Sequence, residues 1–214
     1  MIVTPHKNIL LKVCGLTRQD DVTLAASLGV RFAGFIFHPQ SPRAVDPEWV
    51  ASVDTGPMHR VGVFVDQDAD AIKAIMEKAR LDYAQLHGTQ SIACARALGA
   101  KHVIRVLWPE TYSHTAELYN ALQRYADTSA YYLFDAGTTG GGHAKTLDWP
   151  ELYGLKSPHP WFLAGGLTKD NVIQALWDCH PSGLDINSGV ETRPGVKDLD
   201  AMRTLIHRVW TKYH

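Results

Sequence analysis

Short apolar runs alternate with amphipathic segments along most of the chain. Residues 33–37 and 60–65 are almost uninterrupted apolar runs, which is typical of strands buried on both faces. The segment after Asp68 instead places apolar side chains three or four residues apart, as a helix packed on one face requires, at Ile72, Ile75, Met76 and Ala79. The same contrast predicts strands at 10–14, 33–37, 60–65, 83–87, 102–108, 131–135, 161–164 and 183–187, and helices at 18–28, 47–54, 68–79, 90–98, 112–125, 149–153, 169–177 and 199–209.

Two residues are placed to cap helices in this pattern. Thr17 precedes the first helix and Asp68 the third, and a side-chain oxygen at such a position accepts a hydrogen bond from the free backbone amides of the first turn. We therefore expect both side chains to act as N-caps.

The number and order of these elements indicate the fold. Eight strand–helix pairs within 214 residues predict an α/β protein, a single-domain (β/α)8 TIM barrel over residues 1–214. An open, doubly wound parallel sheet would alternate in the same way. Its dinucleotide-binding members carry G-x-G-x-x-G at the first helix, whereas the glycine-rich loops here follow the seventh and eighth strands. The barrel is therefore favoured.

The composition mainly excludes functions. The net charge is −1, so neither nucleic acid nor an anionic membrane surface is an expected partner. No apolar run approaches the roughly 20 residues of a membrane span, and the N-terminal residues lack a signal-peptide pattern, so we expect a cytoplasmic protein. Barrel enzymes of this size occur as monomers and dimers, so we expect a monomer or a homodimer. The 3 cysteines are far apart and the 11 histidines lack ligand spacing, so we predict neither disulfides nor a metal site.

Candidate catalytic groups stand at the ends of two predicted strands. Cys14 ends the first strand and Asp135 the sixth, so a barrel would bring both to the same mouth. A thiol and a carboxyl group facing each other across a substrate can act as base and acid in moving a proton between carbon and oxygen. The start of the first helix would lower the pKa of Cys14, and partial burial behind Phe134 would keep a proton on Asp135. Each residue also fits a purely structural role, Cys14 as a small buried apolar residue and Asp135 as an aspartate in a turn or helix cap.

Two loops are candidates for binding a phosphate group. Gly165 and Gly166 follow the seventh strand, and Ser188 and Gly189 follow the eighth. Exposed backbone amides at a helix start bind phosphate without a lysine, and in TIM barrels these two loops commonly form the phosphate site. Either loop alone also reads as an ordinary tight turn. Together they predict a phosphorylated small-molecule substrate.

Two further residues near the mouth can contact a substrate. Arg43 lies in a proline-containing loop and can form a planar, bidentate pair with a substrate carboxylate. His87 ends the fourth strand, where a histidine packed inside the barrel is the more common role, so it is a secondary candidate.

One motif per predicted loop gives a family resemblance. The chain carries KVCGLT at 12–17, SPR at 41–43, QLHG at 85–88, Asp135 followed by GGG at 140–142 and LDW at 147–149, AGGL at 164–167 and DINSGVE at 185–191. In this order they resemble phosphoribosylanthranilate isomerases of tryptophan biosynthesis, from residue 11 to about 198. After the sixth strand the chain departs from the family pattern, with Ala144 in place of a glycine and Leu147 in place of a phenylalanine.

The resemblance implies an Amadori rearrangement without a metal or organic cofactor. The aminoaldose N-(5-phosphoribosyl)anthranilate would become the aminoketose 1-(2-carboxyphenylamino)-1-deoxyribulose 5-phosphate. Asp135 would be the general acid that protonates the ring oxygen, and Cys14 the general base that removes the proton from C2. Arg43 would bind the anthranilate carboxylate, His87 and Asp185 would contact the substrate, and the glycine loops would bind the phosphate.

The residues alone leave alternatives open. They support a sugar-phosphate isomerase or epimerase, and the related isomerase of histidine biosynthesis performs similar chemistry on a similar barrel. A resemblance to that family would imply a pair of aspartates at the first and sixth strands and two phosphate sites. Cys14 at the first strand and a single phosphate region do not match this pattern. A non-catalytic barrel that binds a phosphorylated ligand is a further alternative, although a thiol, a carboxyl group and Arg43 exceed what binding alone requires.

Overall fold

Eight parallel strands form a closed barrel in which each strand pairs with the next along the chain and the eighth pairs with the first. The computed structural model describes residues 9–135 and 152–213, and the fold is given for those residues. The strands are β1 (Leu10–Val13), β2 (Phe32–Ile36), β3 (His59–Phe64), β4 (Tyr83–Leu86), β5 (Val103–Leu107), β6 (Tyr131–Asp135), β7 (Trp161–Ala164) and β8 (Gly183–Ile186). The predicted barrel is confirmed.

Helices on the outside of the barrel cover the sheet. They are α1 (Gln19–Ser27), α2 (Pro47–Ser52), α3 (Ala69–Ala79), α4 (Ile92–Leu98), α5 (Thr115–Tyr125), α6 (Val172–Cys179) and α7 (Leu199–Tyr213). Short 3-10 helices lie at Ala100–His102, Pro109–Thr111, Ala126–Thr128 and Ser188–Val190. None of the helices in the described part of the chain is long and apolar enough to cross a membrane.

Alternation along the strands divides the apolar side chains into two clusters. Successive residues of a strand point to opposite faces, so each strand contributes to both. The larger cluster fills the space between the sheet and the helices. The smaller one fills the barrel interior with Phe32, Val61, Ile104, Val106, Leu133, Phe162 and Ala164. Toward the carboxyl ends of the strands the buried side chains become polar, at Lys12, Gln85 and Asp185.

The cap at Asp68 is confirmed and the cap at Thr17 is wrong. Asp68 accepts a hydrogen bond from the amide of Ala71 at 2.9 Å. At α1 the N-cap position belongs to Arg18, whose side chain makes no capping hydrogen bond. The Thr17 hydroxyl instead donates to the carbonyl of Gly195, because a hairpin absent from the prediction lies against this loop.

This hairpin consists of two short antiparallel strands, β9 (Glu191–Arg193) and β10 (Val196–Lys197). Its turn contains Gly195 with a φ of 81°, and a Cβ there would lie 3.2 Å from the carbonyl oxygen of Pro42. The hairpin therefore packs directly on the loops that follow β1 and β2.

Some sequence features fall outside the described residues. These are the glycines at 140–142, Ala144, the LDW motif at 147–149 and most of the short helix predicted at 149–153.

Candidate active site

Cys14 follows β1 directly and lies buried at the mouth of the barrel, with 4% of its surface exposed. Its amide donates to the carbonyl of Ile186 at 2.8 Å, which fixes it beside β8. Gly34 on β2 faces it, and a Cβ at that glycine would lie 2.9 Å from the sulfur of Cys14 and 3.1 Å from Nζ of Lys12. The absent side chain at Gly34 therefore makes room for the thiol and the ammonium group to meet.

Lys12 lies two residues before Cys14 and points to the same side of the strand. Its Nζ donates to both carboxylate oxygens of Asp185 at 2.9 Å, across the β1–β8 pair, and its positive charge acts on the thiol of Cys14. Burial by itself lowers the pKa of Lys12, but the charges of Asp185 and Cys14 outweigh it and raise that pKa above its ordinary value. Lys12 therefore brings a fixed positive charge to the thiol.

The predicted lowering of the pKa of Cys14 by the first helix is wrong. Burial raises the pKa of this thiol, and the opposing charge of Lys12 does not fully cancel the effect. Helix α1 begins only at Gln19, so its N-terminal amides are not the groups that act on the sulfur. Lys12 and Lys197 are the cations that favour the thiolate, while Asp185 disfavours it.

Asp135 ends β6 and meets His87, which follows β4. Nε2 of His87 lies 3.5 Å from Oδ2 of Asp135. The side-chain amide nitrogen of Gln85 lies 3.1 Å from Nδ1 of His87 and can only donate, so Nδ1 accepts and the neutral ring carries its proton on Nε2. Burial lowers the pKa of His87, although Asp135 opposes this. A neutral His87 therefore carries its Nε2–H next to the carboxyl group of Asp135.

Charged groups connect the two sides of the mouth. Burial and the charge of Asp135 raise the pKa of Asp185, which accepts hydrogen bonds from Lys12. Cys14 and Asp135 thus lie at the same end of the barrel, on strands that are not neighbours.

Arg43 is held in place by an ion pair with Glu191. Its Nε and Nη2 form a bidentate pair with the carboxylate of Glu191, at 2.9 and 2.7 Å. Oε1 of Glu191 also accepts from Nζ of Lys197 at 3.0 Å, and only 4% of the Glu191 side chain is exposed.

The two predicted phosphate loops lie in direct contact. A Cβ at Gly189 would lie 1.8 Å from the carbonyl oxygen of Leu167, so only glycine allows the loop after β8 to approach the loop after β7. A short 3-10 helix follows β8 in this loop, at Ser188–Val190.

The helix after β7 starts later than predicted. Gly165 and Gly166 have φ of 96° and 62°, and α6 begins only at Val172, because the amide of Thr168 is tied to Oδ1 of Asn171 at 2.8 Å in a turn before it. The amides of Gly165 and Gly166 therefore belong to this turn and not to the first turn of the helix.

Several residues of the site were not predicted from the sequence. Lys12 carried a usable signal, since period-two alternation places it on the same face as Cys14. Gln85 had a similar signal relative to His87. Glu191 ends the DINSGVE motif, but no role followed from that, and Lys197 had no signal, because the hairpin that holds both is too short for its pattern to be visible in sequence. Among the described residues, no group of three or more His, Cys, Asp or Glu side chains is arranged to hold a metal ion.

Comparison with known proteins identifies the family. Residues 11–208 match the family model described as N-(5'phosphoribosyl)anthranilate (PRA) isomerase. The chain belongs to this family. An N-(5'-phosphoribosyl)anthranilate isomerase of Desulfovibrio desulfuricans is 60% identical over 190 residues, covering 89% of this chain and 90% of the relative. One from Maridesulfovibrio salexigens is 44% identical over 191 residues, covering 89% of this chain and 93% of the relative.

Solved structures of the PRA isomerase family have the same fold. The crystal structure from Thermus thermophilus has a TM-score of 0.79 at 33% identity and covers 95% of this chain and 100% of its own. A second isomerase structure, in complex with reduced 1-(o-carboxyphenylamino)-1-deoxyribulose 5-phosphate, has a TM-score of 0.78 at 28% identity and covers 93% and 97%.

Proposed function

We propose that the chain converts N-(5'-phosphoribosyl)anthranilate to 1-(2-carboxyphenylamino)-1-deoxyribulose 5-phosphate, with Asp135 as the acid and Cys14 as the base. The observation that carries the proposal is the placement of a thiol and a carboxyl group at one barrel mouth, in a chain that belongs to the PRA isomerase family. The two groups have the chemistry that an aldose–ketose isomerisation requires. Neither the histidine-biosynthesis reaction nor simple ligand binding is favoured by the family match.

The first step opens the sugar ring. Asp135 gives a proton to the ring oxygen, the bond between that oxygen and C1 breaks, and the lone pair of the anilino nitrogen forms a protonated Schiff base with C1. His87, whose Nε2 lies 3.5 Å from Oδ2 of Asp135, positions this carboxyl group.

The second step moves the proton that defines the product. The thiolate of Cys14 removes the proton from C2, and the electron pair of the C2–H bond moves toward C1 and neutralises the Schiff-base nitrogen. The resulting enolamine becomes the aminoketose by tautomerisation. Lys12 stabilises the thiolate that performs this step, since its positive charge favours the ionised sulfur and its ammonium group is held in place by Asp185.

The remaining groups hold the ends of the substrate. Backbone amides of Gly165, Gly166, Ser188 and Gly189 bind the phosphate, since the two loops meet at the close approach of Gly189 to Leu167. Arg43 binds the anthranilate carboxylate. Asp185 holds Lys12 in place, and its own contact with the substrate stays a prediction.

Several properties of the whole protein stay predictions. They are a single domain over residues 1–214, a cytoplasmic location, a monomeric or homodimeric state, no nucleic-acid or membrane partner and a reaction without cofactor or metal. Gel filtration with light scattering measures the oligomeric state, and activity after dialysis against a chelator tests the expected independence from metal.

The test is turnover of freshly prepared N-(5'-phosphoribosyl)anthranilate, followed by the loss of its fluorescence. We expect the wild-type protein to be active and Cys14→Ala and Asp135→Asn to lose at least about 100-fold in kcat, the scale of acid–base catalysis. Cys94→Ala, which removes a thiol on α4 outside the mouth, is the matched control and should retain activity. An inactive wild type would refute the function, and an unchanged rate in either mutant would remove the role of that residue.

A further inference from the structure

Glu191 occupies one edge of the Arg43 guanidinium group. The bonds from Nε and Nη2 run to the two carboxylate oxygens, so the pair is planar and side-on. A guanidinium group has five N–H donors in a fixed fork, and this arrangement uses the two on one edge. No hydrogen bond within residues 9–135 and 152–213 engages Nη1. The outer edge, formed by Nη1 and the second hydrogen of Nη2, has the geometry to bind another carboxylate.

Lys197 supplies the charge that makes a second carboxylate favourable. Arg43 and Glu191 alone would be neutral as a pair, and a neutral pair attracts an anion weakly. Nζ of Lys197 binds Oε1 of Glu191 at 3.0 Å and is completely buried. Burial lowers the pKa of Lys197 and the charge of Glu191 opposes this, and with Lys197 protonated the three side chains together carry one positive charge. Burial favours protonation of Glu191, but the hydrogen bonds and charges of Arg43 and Lys197 outweigh it and lower its pKa below the ordinary value.

The cluster of Arg43, Glu191 and Lys197 is fixed next to the proposed base. The stem of Arg43 crosses Gly15, where a Cβ would lie 2.7 Å from Cδ of Arg43, so the residue after Cys14 leaves the space that the arginine occupies. Oδ1 of Asn187 at the end of β8 accepts from Nζ of Lys197 at 2.9 Å. Hydrogen bonds thus join the hairpin, the β2 loop and the end of β8 into one frame.

We propose that Glu191 is a positioning residue that fixes Arg43 so that its outer edge binds the carboxylate of the substrate, and that this cluster makes the enzyme select aminoaldoses whose N-aryl group carries an ortho carboxylate. The proposal rests on the proposed function, because it assigns this specificity to the same reaction. Glu191 acts through Arg43 and touches no reacting atom.

The experiment compares two substrates in the same protein. One is N-(5'-phosphoribosyl)anthranilate and the other is N-(5'-phosphoribosyl)aniline, which lacks the carboxylate. The measured quantity is the ratio of their kcat/KM values, which is independent of the fraction of protein that is folded. We expect Glu191→Gln and Glu191→Asp to lower this ratio at least about tenfold, through a rise in KM for the carboxylated substrate. The matched control is Glu48→Gln, which alters an exposed glutamate on α2 and should leave the ratio unchanged.

A double-mutant cycle assigns the effect to Arg43. In an Arg43→Ala background the ratio should already be low, and Glu191→Gln should lower it no further. Equal losses for both substrates in the Glu191 variants, or a ratio that falls again in the Arg43→Ala background, would overturn the proposal.

Two results separate this proposal from the proposed function. If the wild type turns over neither substrate, the function itself has failed. If the wild type turns over both with equal efficiency, the isomerase activity stands and the role of the cluster is refuted. Glu191→Asp keeps the charge in the cluster, so it tests the geometry even if Glu191→Gln does not fold.

Discussion

At the scale of single residues, burial and a neighbouring cation act in opposite directions on Cys14. Burial raises the pKa of the thiol, and Lys12 offsets part of that shift. A base that must ionise to act therefore has only a small ionised fraction at neutral pH. The sequence predicted the thiol and its position at the mouth, but the predicted lowering of its pKa was wrong, since that pKa depends on burial and on charges contributed by β1, β8 and the hairpin.

The raised pKa of Cys14 predicts a steep pH dependence of its reactivity. The thiolate is the alkylated species, so in a Cys94→Ala/Cys179→Ala background the rate with iodoacetamide should rise about tenfold per pH unit from neutral pH upward. Mass spectrometry of the modified protein measures this rate, and bound product analogue should suppress it. A midpoint below the ordinary thiol pKa of 9.0 would show that Lys12 outweighs burial. Equal modification with and without ligand would count against a site at Cys14.

Lys12→Met should be strongly destabilising. It leaves Asp185 buried without its partner, and breaking a buried ion pair by removing one side costs about 3–5 kcal/mol. Burial raises the pKa of Asp185, and without Lys12 nothing comparable opposes this effect. Urea unfolding should show this loss.

The double variant Lys12→Met/Asp185→Leu separates stability from function. With both partners apolar, most of the lost stability should return. Activity should not return, because the thiolate still lacks its cation. Recovery of full activity in the double variant would contradict the role given to Lys12.

At the scale of elements, predictability followed the length of the apolar pattern. All eight barrel strands were predicted because each is a run of several apolar or alternating residues. Amphipathic helices such as α3 were predicted from apolar residues spaced three or four positions apart. The hairpin was missed, since strands of three and two residues carry too little pattern. The N-cap of α1 was misassigned for the same reason, because the competing hydrogen-bond partner of Thr17 is in that hairpin.

Gly189→Ala should weaken phosphate binding. Its new Cβ would overlap the carbonyl oxygen of Leu167, so the loops after β7 and β8 must separate. We expect KM for the substrate and the inhibition constant of inorganic phosphate both to rise at least about tenfold, since displacement by an ångström misaligns the amides. Steady-state kinetics with phosphate as competitor measures both constants.

Gly154→Ala is the matched control for this substitution. Its φ of 72° imposes backbone strain of about 1 kcal/mol, yet no atom of the residues that the structure describes lies within 4 Å of the added Cβ. Both constants should therefore match the wild type. A rise only in KM, with phosphate inhibition unchanged, would mean that the loops contact another part of the substrate.

At the scale of the whole molecule, the barrel interior is layered along its axis. Aromatic rings fill the amino-terminal end, where Phe32 contacts the rings of His59, Tyr83, Tyr131 and Phe162 with centroids 5.3–5.8 Å apart. Polar and charged side chains occupy the layers toward the other end, at Lys12, Gln85, Asp185 and then Cys14, His87 and Asp135. Apolar packing holds the barrel closed at one end, so the other end can carry buried charge.

Phe32→Ala tests whether the aromatic layer contributes to stability alone and not to catalysis. It removes a buried ring at the centre of the aromatic layer and should cost about 3–5 kcal/mol in the free energy of unfolding, measured with urea. Lys12, which pairs with Phe32 in register, points into the next layer and keeps its bond to Asp185. KM should therefore stay the same, and kcat per folded molecule should equal that of the wild type. If KM rises, the aromatic layer also sets the geometry of the mouth, and the separation of stability from catalysis along the barrel axis is wrong.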